Sequence, residues 1–132
     1  MNTTGGQNDS KVNDMALSEK AKKIIETGAK ALSDKKAEEI TIIDISDISI
    51  IADALVITSG KNKKQIQAMC DETDEKLSQA GYEHFCIEGY DSANWILIGY
   101  EDVIFHIFDE ETRRFYDLER LYRDGKVLDI PV

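Results

Sequence analysis

The 132-residue chain holds two cysteines, two histidines, one tryptophan and one proline, and no run of about 18 apolar residues. Each scarcity narrows what the protein can do. Cys70 and Cys86 lie far apart and fit no metal-ligand spacing. Both are expected to be free, mostly buried thiols in a reducing compartment. The apolar runs are too short to span a bilayer. The opening MNTTGGQNDSKVND lacks the apolar middle of a signal peptide, which predicts a cytoplasmic protein. No Ser or Cys sits where an activated nucleophile is expected. His84 starts a strand, and His106 lies inside VIFHIF, where a hydrogen-bonded structural histidine is the commoner reading than a general base.

Positive charge is also short. There are 26 acidic and 16 basic residues, for a net charge of −10. Residues 1–80 carry 14 acids and 11 bases, whereas residues 81–132 carry 12 and 5. Nucleic-acid affinity comes largely from Lys and Arg displacing counterions from phosphates. The overall balance therefore argues against direct DNA or RNA binding and favours a basic protein partner, steered by charge.

What is present reads as one domain over residues 15–125, with tails at 1–14 and 126–132. Leu17, Ala21, Ile24, Ile25, Gly28 and Leu32 form a helical stripe over residues 17–34. ITIIDIS (40–46) and ALVITSG (54–60) read as strands, antiparallel because their link is short. A second helix follows, with Asn62 as N-cap and Gly81 at its C-terminal end. EHFCIEG (83–89), NWILIGY (94–100) and VIFHIF (103–108) read as three more strands, the last two joined by a tight hairpin at Glu101-Asp102. The strand–helix–strand unit predicts that 54–60 and 83–89 run parallel. A third helical segment opens on Asp109, with Glu110–Arg114 and Glu119–Arg123 as pairs one turn apart. The fold class is α/β (α+β): a mixed sheet of five strands with packed helices. WILIGY and VIFHIF do not alternate, so their sheet must be covered on both faces. The second cover is a helix, another copy of the chain, or a partner.

Two functional readings compete. Asp44, Asp47 and Asp53 bracket the first two strands, and Ser59-Gly60 ends a strand before a helix, where phosphates bind free amides. Together these point faintly to a magnesium-dependent nucleotidyltransferase, although no Asp-x-Asp or Glu-x-Asp strand follows the loop. The other reading rests on EGYDSANWILIGYEDVIFHIFDEETRRFYDLERLY. Its Glu88, Gly89, Trp95, Asp102, Val103, His106, Arg114, Tyr116, Leu118, Glu119 and Tyr122, with Asp53, Ser59, Gly60 and Gln65 upstream, resemble the ribosomal silencing factor (Iojap-like) family over residues 15–123. The chain departs from the family pattern in placing its turn glycine, Gly99, two positions early, and in having Tyr122 where a Trp is usual.

That resemblance implies a nucleotidyltransferase-like topology without catalytic carboxylates. It also implies binding to the large ribosomal subunit through ribosomal protein uL14, obstruction of small-subunit joining, repression of translation, and a homodimer when free. No enzyme activity, cofactor, metal, small-molecule substrate, DNA or membrane is expected. The expected partner-binding residues are Trp95, Leu97, Tyr100, Glu101, Asp102, His106, Arg114 and Tyr116. Tyr116 and Leu118 are also expected to pack the third helix on the sheet. On the residues alone, Trp95 fits either a core position or a surface anchor; the resemblance favours the anchor.

Overall fold

The computed structural model describes residues 17–130. Helix α1 (Glu19–Asp34) starts at Ser18, whose side chain accepts from the Ala21 amide. Strands β1 (Glu38–Asp44) and β2 (Ala54–Gly60) follow. Helix α2 (Lys63–Gln79) is capped by Asn62, which accepts from the Gln65 amide. Then come β3 (Cys86–Glu88), β4 (Trp95–Gly99) and β5 (Val103–Asp109). Short helices α3 (Glu110–Tyr116) and α4 (Leu118–Leu121) precede β6 (Lys126–Leu128). The expected tail at 1–14 lies outside the described residues.

The sheet has six strands in the order β3-β4-β5-β2-β1-β6, one more than expected. The extra strand comes from residues 126–128, assigned above to the C-terminal tail. They pair antiparallel with Ile42–Asp44 and cover what would otherwise be an open sheet edge. β1 and β2 are antiparallel, as their short link requires. β2 and β5 are parallel, and β4 is antiparallel to both β5 and β3. β3 therefore runs parallel to β2 as predicted, but two strands intervene, so α2 carries the chain beyond β5 and β4.

Alternation along the strands separates two cores. Ile42, Val56, Ile96, Ile98, Phe105 and Ile107 face α1 and α2. Ile43, Leu55, Ile57 and Phe108 face the other way, toward Leu118 of α4. Four-residue α4 cannot cover that whole face. Trp95, Ile104 and Tyr122 pack at its edge and stay only partly buried. The sheet is apolar on both sides because both are packed, one completely and one in part.

Gly28 lets α1 sit against β5. A Cβ there would lie 2.3 Å from Cζ of Phe105. Gly28→Ala gains helix propensity of about 1 kcal/mol but forces a fully buried ring to move. The expected net result is a loss of ~1–2 kcal/mol in urea unfolding, with the native circular dichroism spectrum retained.

Candidate functional site

Trp95 enters β4 from a loop that turns at Gly89 and closes at Ala93. Gly89 has φ 80°, and a Cβ on it would lie 2.1 Å from the Trp95 carbonyl oxygen. Ala93, at φ 57°, donates its amide to the Gly89 carbonyl. This closure turns the indole onto the partly covered sheet face, directly across from Phe108. The indole stacks obliquely on Phe108 (centroids 5.0 Å) and Tyr116 (4.8 Å), with His106 at 5.8 Å. Leu97 pairs with His106 in register and shares the face. Trp95, Leu97 and Tyr116 thus form one apolar platform over His106, with Tyr116 49% exposed and Phe115 beside it 79% exposed.

Trp95 Nε1 lies 3.0 Å from His106 Nδ1. An indole N–H only donates, so Nδ1 accepts and the neutral ring carries its proton on Nε2. Burial lowers the His106 pKa to about 4, which keeps the ring neutral. His106 is 7% exposed and locks the indole in place from beneath the platform.

The other expected partner residues lie elsewhere. Tyr100 is 1% exposed, on the helix-covered face, and its hydroxyl donates to Asp74 at 3.0 Å. It belongs to the core: Ile96, Ile98 and Tyr100 share one parity along the strand, Trp95 and Leu97 the other. Glu101 and Asp102 form the β4–β5 turn at the far end of β4, ~20 Å from Trp95 by strand rise. There Glu101 pairs with Lys20, and the Asp102 carbonyl accepts from the amides of Asp53 and Ala54. The turn needs no positive φ at either residue, so the displaced Gly99 causes no strain. Arg114 is exposed, on the same short helix as Tyr116.

Arg113 has a role that its sequence did not reveal. It is 8% exposed, with Nη2 2.6 Å from Glu119 Oε2. The guanidinium also donates to the carbonyls of Glu38 and Glu39, to Ser59 Oγ and to Thr41 Oγ1. It ties α3 and α4 to the irregular start of β1, where Glu39 has φ 45°. This pair replaces the expected Glu110–Arg114 and Glu119–Arg123 pairs. The third helical segment breaks at Asp117 (φ 48°), so Glu119 turns back toward Arg113. Phe115 was equally unforeseen as a surface residue. The signal was adjacency: neighbouring aromatics on a helix point about 100° apart, so Phe115 and Tyr116 cannot both face the sheet.

A crevice of about 680 Å³ lies where parallel strands β2 and β5 end, the usual ligand position in such sheets. Its walls include Glu38, Glu39, Glu110, Asp117 and Glu119. The neighbouring Glu110 carboxyl holds Glu38 above the usual carboxylate range. Nucleotide phosphates would meet these five acids against two cations, Arg113, which is already engaged, and the exposed Arg114. Asp44 and Asp53 sit at the opposite end of β2 from Ser59-Gly60. Asp44 Oδ1 is held by the amide and hydroxyl of Ser46, and Asp53 is raised by burial and by Asp102 and Asp44. The parts of a nucleotidyltransferase site do not assemble. Burial pushes the Cys70 thiol up to about 12, leaving it a packing group, while Cys86 is half-buried. Among the described residues, no helix is long and apolar enough to cross a membrane.

Two expectations follow. Arg113→Ala strands a partly buried carboxylate and several acceptors, so it should cost about 2–4 kcal/mol; Arg113→Lys should recover little, because one ammonium cannot replace the fork. Urea unfolding checks both. His106 folds with its pKa lowered from 6.5 to about 4. The unfolded chain therefore binds more protons in that window. The contribution is complete above pH 6.5 and falls by up to ~3 kcal/mol as pH drops toward 4. Unfolding midpoints across this range should lose that step in His106→Gln, which leaves the carboxylate contributions intact.

The chain matches the family model described as "Ribosomal silencing factor during starvation" over residues 18–132. It is 36% identical over 109 residues to the ribosomal silencing factor RsfS of Bacillus subtilis, covering 83% of this chain and 92% of that protein. It is 38% identical over 102 residues to RsfS of Zymomonas mobilis, covering 77% of each. A crystal structure of a Chromobacterium violaceum protein superposes with a TM-score of 0.76 at 27% identity, covering 84% of this chain and 92% of that one. The mixed sheet, the packed helices and the motif from Glu88 to Tyr122 thus have their counterpart in a group of translation regulators, and the chain belongs to the ribosomal silencing factor family.

Proposed function

We propose that the protein docks on the large ribosomal subunit through ribosomal protein uL14 and sterically prevents the small subunit from joining. The observation that carries this reading is the platform of Trp95, Leu97 and Tyr116, half-exposed on a sheet face that α4 leaves partly open. Such a face is stable in water only at a cost, and burying it against a partner recovers that cost. Trp and Tyr are favoured interface anchors; a fully buried Trp contributes ~150–250 Å² of contact. The surrounding chain is acidic, which suits a cationic partner and discourages non-specific adhesion to RNA. Obstruction requires occupancy and bulk, with no chemical step. This is the basis for reading the protein as a regulator and not an enzyme. When the protein is free, a second copy covers the same face, so dimerisation and docking compete.

Sedimentation profiles of lysate with added protein test the reading. The protein should travel with large subunits and lower the yield of joined ribosomes; joined ribosomes unchanged at saturating protein would reject it. Tyr116→Ala and Trp95→Ala should each weaken subunit binding by ~30-fold, about 2 kcal/mol. Tyr116→Ala should barely move the unfolding midpoint. Trp95→Ala should also lower stability measurably, since the indole packs on Phe108 and bonds His106.

A further inference from the structure

The chain-wide shortage of positive charge conceals a local arrangement. All four arginines of the sequence, Arg113, Arg114, Arg120 and Arg123, fall within eleven consecutive residues, and every other cation is lysine. Arg113 is consumed by the fold. The other three line one open groove of about 580 Å³ formed by α3, α4 and the turn after them. Among the described residues, no ion pair engages any of these three. Phe115 and Leu121, 79% and 68% exposed, share the groove, and so does Tyr116 of the platform. Asp117 and Asp124 also line it, leaving one net positive charge.

Arginine and lysine are not equivalent at such a place. Guanidinium presents a planar fork that matches phosphate oxygens and is more weakly hydrated than ammonium. An exposed aromatic ring between arginines gives an unstacked base a surface to lie on. An acidic peptide would satisfy the arginines but would leave Phe115 without a reason to be bare. Bound RNA can present phosphates and bases alternately.

We infer that this groove is a second contact surface, which takes the phosphate backbone and an unstacked base of ribosomal RNA beside the protein docked on Trp95. The inference rests on the proposed large-subunit docking and adds an RNA component to it. Because Tyr116 borders both surfaces, the two contacts are continuous. The acidic remainder of the chain repels RNA elsewhere, so the arginines fix register and orientation without making the protein a general RNA binder.

The test is the salt dependence of binding between the full chain and purified large subunits. The variants are Arg114→Gln/Arg120→Gln/Arg123→Gln and, as a charge control, Lys23→Gln/Lys30→Gln/Lys76→Gln on the α1–α2 face. The arginine variant should bind about 10- to 100-fold more weakly at low salt, with the slope of log affinity against log salt reduced by about 2, and the lysine variant should match the wild type. Photo-crosslinking of wild-type complexes should attach nucleotides to the peptide carrying Phe115 and Tyr116. An unchanged slope in the arginine variant, an equal loss in the lysine variant, or an equal arginine effect on the isolated ribosomal protein would each overturn the RNA contact while leaving docking intact. Wild-type protein that fails to bind subunits at all overturns both readings.

Discussion

The guanidinium of Arg113 is the interaction on which the partly covered face of this molecule depends. Helices α3 and α4 are too short to be stable by propensity. They hold their place because one buried cation satisfies two carbonyls of β1, hydroxyls from β1 and β2, and the Glu119 carboxylate across the Asp117 break. Without that clamp, Tyr116 would have no fixed position against the indole, and Leu118 would not close the second core. The clamp also occupies the end of the parallel strands where related sheet architectures place ligands. There the ion pair and the surrounding acids line the crevice and hold α3 and α4 to the sheet.

The platform follows from unequal coverage of a two-faced sheet. One face receives two long helices and becomes a sealed core. The other receives four-residue α4 and keeps an aromatic margin. The half-exposed indole is neither core nor free: Phe108 and Tyr116 restrict it, and the neutral His106 imidazole holds its N–H. In the docking proposed above, an anchor held in this way loses little rotamer freedom, so more of its contact area is expressed as affinity.

Much of this could be read in the chain. Asn62, Asp109 and Gly81 marked helix ends because their chemistry is local. The hairpin at Glu101-Asp102 and the antiparallel β1–β2 pair followed from short links. The motif held Trp95 and Tyr116, whose rings the structure brings into contact. Tyr100 was misassigned because composition outweighed parity: it follows Ile96 and Ile98 by twos and had to face the helices. The burial of Arg113 and its pairing with Glu119 were not legible because pairing one turn apart assumes an unbroken helix, and the left-handed Asp117 redirects Glu119. β6 was missed because three residues carry too little periodicity to register; only the partner strand defines them.

The sheet is closed at its centre by a pairing of strands remote in sequence. Ala54 lies beside Val103 and Gly60 beside Asp109, so β2 waits for almost fifty further residues before its neighbour exists. During synthesis ALVITSG, fully buried in the finished molecule, is an apolar strand with one side unpaired. Contacts this remote slow folding and prolong exposure of a sticky edge. Newly made chains are therefore most vulnerable to clumping until β5 has been made, which links the supply of active regulator to how fast residues 61–109 are translated.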